Sequence, residues 1–140
     1  MKVFSTIDVA GTSLTAHRLW MDTISQNLAN VNTTRTPEGG PYLRRVPVFQ
    51  QILDEIGSDG KVKGGVKVAE IAKDESSAPR LVYQPDHPDS NDEGYVSMPN
   101  VSVVREMADM MVASRAYEAN LAVTDSAKNM WNNALDILKG

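Results

Sequence analysis

Residues 101–139 read V-S-V-V-R-E-M-A-D-M-M-V-A-S-R-A-Y-E-A-N-L-A-V-T-D-S-A-K-N-M-W-N-N-A-L-D-I-L-K, without a glycine or a proline. Pro99 and Asn100 precede the run, and Gly140 follows it. Asn100 is expected to cap a helix here, and Gly140 to stop it. Val103, Met107, Met110, Ser114, Tyr117, Leu121, Thr124, Lys128, Trp131, Leu135 and Leu138 repeat at spacings of four and three. That is a heptad frame, broken by three polar residues. A second stripe, Ala116, Val123, Ala127, Met130, Ala134 and Ile137, runs beside it. The helix should be about 55 Å long at about 1.5 Å per residue, well beyond the mean of about 11–12 residues.

The other end of the chain has the same character. Ile7, Leu14, Met21 and Leu28 are spaced by seven, with Ala10, His17, Ile24 and Val31 three residues after each. A helix from about Val3 to Ala29 is expected, about 40 Å long. Its charges are few, Lys2, Asp8, Arg18 and Asp22, and its polar face is mostly Ser, Thr, Gln and Asn. Solvated helices usually carry opposite charges on the wet face. Wide apolar stripes with lightly charged flanks imply two helices that pack on each other and on further copies or other chains.

All seven prolines fall between Pro37 and Pro99. The middle therefore differs in kind from the ends. V-K-G-G-V-K-V-A-E-I puts Val66 and Val68 on one face, R-L-V-Y-Q does the same for Leu81 and Tyr83, and G-Y-V-S-M is a third extended stretch. Residues 48–56 fit a strand or a short helix, and Gly57, Gly60, Gly64 and Gly65 supply turns. The expected fold is mainly α with a small β-rich insert: long N- and C-terminal helices in an antiparallel coiled-coil-like pair, and a middle of short strands and loops. The segments are 1–32, 33–100 and 101–140.

Composition removes several functions. The chain has 140 residues, net charge −4 and no cysteine. Disulfides and thiolate chemistry are excluded, and no clustered basic face marks a nucleic-acid binder. No apolar run approaches the roughly 18 residues of a bilayer span. Asp8 interrupts the N-terminal apolar stretch, so a cleaved signal peptide is not expected.

The best candidate for chemistry is P-D-H-P-D-S-N-D-E-G, with Asp86, His87, Asp89, Asp92 and Glu93. As a calcium loop from Asp89 it fails, with Glu93 at the fifth position and Asn100 at the twelfth. It reads as a solvated acidic loop. No nucleophile motif, phosphate-binding glycine loop or cofactor motif is present. Met107, Met110 and Met111 fit adaptable packing better than a soft-metal site.

S-Q-N-L-A-N-V-N-T-T-R-T-P (25–37) ends the first helix and concentrates asparagines at Asn27, Asn30 and Asn32. Asparagine is poor in helix interiors and favoured at their ends. Asn30 or Asn32 is expected to adopt the left-handed conformation that ends the helix. Asn27 is expected to bond the departing or the neighbouring backbone, in a crowded place where charges would be expensive.

T-I-S-Q-N-L-A-N-V-N-T-T (23–34), T-T-R-T-P-E-G-G-P-Y (33–42), H-P-D-S-N-D-E-G-Y-V-S-M-P-N-V (87–101) and A-S-R-A-Y-E-A-N (113–120) occur in that order. Together they resemble the flagellar axial proteins, in particular basal-body rod proteins of the proximal-rod type. The Thr36-Pro37 step departs from the shorter Thr-Pro-Gly-Tyr turn of most axial relatives and matches the rod subtype. The resemblance implies Asn27, Leu28, Asn30, Asn32, Thr34 and Pro37 as family motif and helix exit. It also implies a structural subunit without cofactor, exported without signal cleavage, polymerising through its terminal helices into the periplasmic drive shaft. Partners would be other copies, other proximal rod proteins, ring-junction and export-gate proteins and the distal rod protein, with no nucleic acid and no bilayer insertion. The expected assembly interface is Ile7, Leu14, Met21, Ile24 and Leu28 on the first helix. On the second it is Val103, Met107, Met110, Tyr117, Leu121, Trp131, Leu135 and Leu138. Two other classes compete: a small peptidoglycan hydrolase using the 86–93 carboxylates, and a helical export adaptor.

Overall fold

The computed structural model describes residues 2–52 and 64–139, with side chains described over 6–52 and 64–137. The order is α1 (Lys2–Ala29), β1 (Arg45–Ile52), β2 (Gly65–Lys73), β3 (Arg80–Tyr83), β4 (Tyr95–Met98) and α2 (Val103–Lys139). The mainly α fold with a small β-rich middle is thus as the sequence implies. Residues 48–52 of the ambiguous segment belong to a strand that begins at Arg45. Positions 53–56, the Gly57 and Gly60 turns and the Leu138 side chain fall outside the described residues.

The strands make two separate antiparallel hairpins, β1–β2 and β3–β4. Pro47 sits in β1 opposite Ile71, and the register shifts between Val48 and Phe49. A proline without an N–H, followed by a bulge, suits a strand with one free edge.

The two helices pack on each other, α1 also packs on β1 and β2, and α2 packs on no other element. The side chain of Asn27, near the end of α1, bonds that of Glu106, in the first turn of α2. That bond and the contact along their lengths make the pair antiparallel. Positions covered along the seam of α2 are Glu106, Met110, Ala113, Tyr117, Asn120, Thr124, Ala127 and Trp131, with Asp109, Ser114 and Ala116 partly covered beside it. These too follow a four-three spacing, so the coiled-coil-like pairing is real. Only half the frame expected from the sequence is retained. Met110, Tyr117, Thr124 and Trp131 stand in it, and Ser114 is partly covered at its edge. Val103, Met107, Leu121, Lys128 and Leu135 are exposed, and Glu106, Ala113, Asn120 and Ala127 take the other seam positions. The seam is filled by small and polar residues, and Ala10, Ala16 and Thr23 are the buried small residues of α1. Small side chains let two helices approach closely.

On α1, Ile24 is buried, and Ile7, Leu14, Met21 and Leu28 are half-buried. His17 is held by its ring Nδ1 against the Ser13 carbonyl, 2.7 Å away, and stacks loosely with Trp20 and Phe49. Trp20 and Phe49 meet edge to face at 5.8 Å, fastening β1 to α1.

Candidate functional site

Two features stand out: a buried polar joint where the helices meet the middle segment, and the uncovered surface of α2.

The joint begins with the end of α1. Asn30 N–H donates to the carbonyls of Gln26 and Asn27, Val31 N–H to Leu28 and Thr33 N–H to Asn30. The helix therefore tightens into three-residue turns, which satisfy carbonyls that would otherwise be orphaned. Among the described residues only glycines have positive φ. The expected left-handed Asn30 or Asn32 is thus corrected: Asn30 turns its amide back onto the Gln26 carbonyl at 2.8 Å, and Asn32 is exposed. The Thr33 hydroxyl donates to the Asn30 side-chain carbonyl.

Asn27 is buried and fully bonded. Its NH₂ donates to the Arg45 carbonyl (2.8 Å) and to Glu106 Oε2 (2.9 Å). Its oxygen accepts from the Tyr42 hydroxyl (2.9 Å) and from the Arg45 N–H (2.9 Å). All four bonds open to an amide are made. The expected contact with the departing backbone is present, since Arg45 begins β1.

Charge, however, is not avoided here. Glu106 is wholly buried, and Arg44 nearly so. Arg44 Nε bonds Glu106 Oε1 at 2.6 Å, and its NH₂ groups reach Asp109 at 2.9 Å and Asp74 at 3.7 Å. A planar guanidinium can serve several carboxylates at once, which suits it to a buried pair. Glu106 accepts from Asn27 on its other oxygen, so neither oxygen is orphaned. Hydrogen bonds from Ser76 hold the Asp74 carboxyl below the usual range, with Arg44 and Arg105 adding to the effect. Burial raises the Tyr42 hydroxyl, against the opposing pull of Arg45.

Asn100 is not the cap of α2. The first turn closes from the Glu106 N–H onto the Ser102 carbonyl. Asn100 instead accepts from the Arg44 N–H and donates to the carbonyls of Asp74 and Ser77. It ties the ends of β1 and β2 to the start of α2.

Thr34 donates to Asp89 at 2.8 Å, while Pro37 is exposed in a turn closed by Thr36 and Gly40. Asp89 also faces Arg35. The acidic loop is thereby a structural turn between β3 and β4. Asn91 accepts from the N–H groups of Glu93 and Tyr95, and Gly94 has φ +81 with its missing Cβ facing the Tyr83 ring. Asp86, Asp92 and Glu93 point to solvent rather than converging on a substrate site.

α2 outside its seam carries exposed Val104, Met107, Met111, Val112, Leu121, Val123, Met130 and Ile137. Val104 is 79% exposed and Ile137 81%.

Comparison with known proteins shows the family. Residues 7–35 match the family model "Flagella basal body rod protein", and residues 92–137 match "Flagellar basal body rod FlgEFG protein C-terminal". The flagellar basal-body rod protein FlgC of Borreliella burgdorferi is 48% identical over the whole of both chains. That of Bacillus subtilis is 40% identical over 99% of this chain and all of its own. That of Salmonella typhimurium is 41% identical over 98% of each. The chain belongs to the FlgC family of flagellar basal-body rod proteins. It is a structural subunit of the rod, not an enzyme. The family matches cover most of both helices, Asn27 and Glu106 included, while Tyr42, Arg44 and Asp74 of the joint lie between the matched ranges.

The sequence pointed to Asn27 but not to Glu106 or Arg44. A lone charge in an amphipathic pattern ordinarily marks a wet face, and the pairing across the fold is not visible in spacing.

Proposed function

We infer that the chain occupies the proximal part of the rod and joins it through the outer surface of its helices. The observation that carries this is the coverage of α2, a 37-residue helix packed along one face only, with apolar side chains on its remaining flanks. Exposed apolar surface on this scale marks an interaction site. Partners are other copies of the chain, other proximal rod proteins, ring-junction and export-gate proteins at the base and the distal rod protein beyond. The segment 33–100 faces outward from the helical tube. The chain termini, at the helix ends far from the joint, gain order on assembly, since isolated amphipathic helices are marginal in water, and an unfolded chain suits export without signal cleavage.

Leu121→Asp tests the reading. The side chain is on the open side of α2, so the monomer should fold as before by circular dichroism. Motility and incorporation into basal bodies should be lost, because a charge buried unpaired in an assembly is costly. Normal motility would overturn the assignment of α2 to the interface.

A further inference from the structure

The β3–β4 hairpin packs on no other described helix or strand, and its two faces are unlike. Val96 on the inner face is wholly buried, while Leu81 and Tyr83 on the outer face are 67% and 64% exposed. A sheet face left to water is ordinarily polar. The backbone is open on the same strand. The Gln84 N–H donates to the Gly94 carbonyl at 2.9 Å. By the alternation of an antiparallel ladder, the pairs Leu81–Ser97 and Tyr83–Tyr95 therefore turn their N–H and C=O groups outward. On β4, Asn91 takes up both outward groups of Tyr95, at 2.8 and 2.9 Å, and Pro99 follows the last residue. On β1, Asn27 does the same for Arg45, and Pro47 has no N–H to offer. β2 is held at Val66 by the Thr12 hydroxyl and carries Lys67, Glu70 and Lys73. Charges, prolines and covering groups are the usual guards of an edge strand. β3 has none from Leu81 to Tyr83: among the described residues nothing bonds their outward N–H and C=O groups.

We propose that the outer edge of β3 receives an added strand, a short, extended and basic segment of another protein. Leu81 and Tyr83 each offer it an N–H and a C=O. Strand addition draws its affinity from such main-chain bonds and its specificity from alternate side chains. Pro79 and Pro85 lie two residues to either side and have no N–H, so the slot is short and does not template a longer sheet. Leu81 and the Tyr83 and Tyr95 rings, which meet edge to face at 5.3 Å, give the incoming side chains an apolar floor. Charge decides which segment fits. The adjoining turn carries exposed Asp86, Asp92 and Glu93, none with an ion-pair partner among the described residues. Arg80 is the only Lys or Arg between positions 80 and 98. A lysine or arginine on the incoming strand meets these carboxylates and the exposed tyrosine rings. A second copy does not match. Its β1 and β4 edges are guarded, its β3 carries the same acidic turn, and Glu70 stands between the lysines of its β2.

The test uses basal bodies from cells whose chain carries photoreactive benzoylphenylalanine in place of Tyr83. Irradiation should link it to a peptide of another protein, with Lys or Arg within a few residues of the linked position. A link to another copy of this chain, a linked peptide without Lys or Arg, or no link from a chain that is incorporated normally overturns the proposal. Leu81→Pro in the same chain removes one outward N–H and leaves the bonds between β3 and β4 in place. Linking per incorporated copy should fall at least about tenfold, while Leu81→Val, which keeps the N–H, should stay within about twofold. Equal linking by the two rules out strand addition. If Leu81→Pro is not incorporated, Leu81→Lys takes its place, since a charge guards the edge without altering the backbone; unchanged linking then has the same force. Asp86→Asn, Asp92→Asn and Glu93→Gln together should lower linking several-fold and remove its dependence on salt. No change in the triple variant would refute a basic partner. α2 takes no part in any of these readouts, so the outcome of Leu121→Asp is read separately.

Discussion

The two helices are similar in kind and opposite in circumstance. α1 is covered on two sides, by α2 and by the β1–β2 hairpin, while among the described helices and strands only α1 packs on α2. Among described α1 residues only Val9 is an exposed large hydrophobic, whereas α2 has ten. The outer face of α1, Asp8, Gly11, Thr15, Arg18, Asp22, Ser25 and Ala29, is small or polar. Both helices thus obey the hydrophobic effect, but only α1 satisfies it within the monomer. The difference separates the two helices: α1 packs on the middle segment, and α2 keeps an open apolar surface.

The contrast depends on the joint, and breaking the joint should have the largest effect. Arg44→Ala removes the cation that serves Glu106, Asp109 and Asp74. Glu106 would remain buried with only Asn27 as partner. Removing one member of a buried pair typically costs about 3–5 kcal/mol. Urea denaturation of the monomer should show a loss of this order, and the loss should be shared by both helices. A change below about 1 kcal/mol would mean that water reaches Glu106 and that the joint does not organise the pair.

A smaller effect separates the covered and open sides of α2. Ala113 is wholly buried in the seam, and Met107 is more than half exposed. Ala113→Leu should cost about 1–3 kcal/mol through overpacking. Met107→Ala should change monomer stability by less than about 0.5 kcal/mol. Chemical denaturation of the two variants compares them directly. Equal losses would put the seam back where the simple heptad count places it.

That count shows what was legible. Helix lengths, the three short extended stretches and the absence of glycine and proline from α2 are local properties, and they follow from composition and period. The exact seam is not local. α2 has apolar residues on several flanks, so Met107 and Leu121 fit a heptad as well as Ala113 and Ala127 do. What decides between them is how closely α1 approaches, and close approach favours alanine over methionine. The same holds for Asn27, whose place at the joint could be read from a crowded helix end. Its partners Glu106 and Tyr42 come from distant parts of the chain. The rule that charge would be avoided at this site failed, because a guanidinium and a carboxylate that meet there neutralise and bond each other.

The smallest expected effect concerns acid, and it sharpens the comparison by acting on one end of the helix pair only. Asp74 takes hydrogen bonds from Ser76 and lies near Arg44 at the joint, and its folded pKa is lowered chiefly by Ser76. A carboxyl that is more acidic folded than unfolded binds protons more readily when unfolded. Its contribution to stability is present above the ordinary aspartate value, about 3.9, and is lost as pH falls towards the folded value. Stability of the native chain should therefore decline below about pH 4 more steeply than that of Ser76→Ala, with the two curves parallel at neutral pH. Amide hydrogen exchange at acid pH should show the loss first around Arg44 and the start of α2, not at Ala10 and Ala127, the buried pair of positions far from the joint. Identical acid limbs for the two proteins would show that Ser76 does not bias Asp74. Loss beginning at the far end would show that the joint is not what acid loosens.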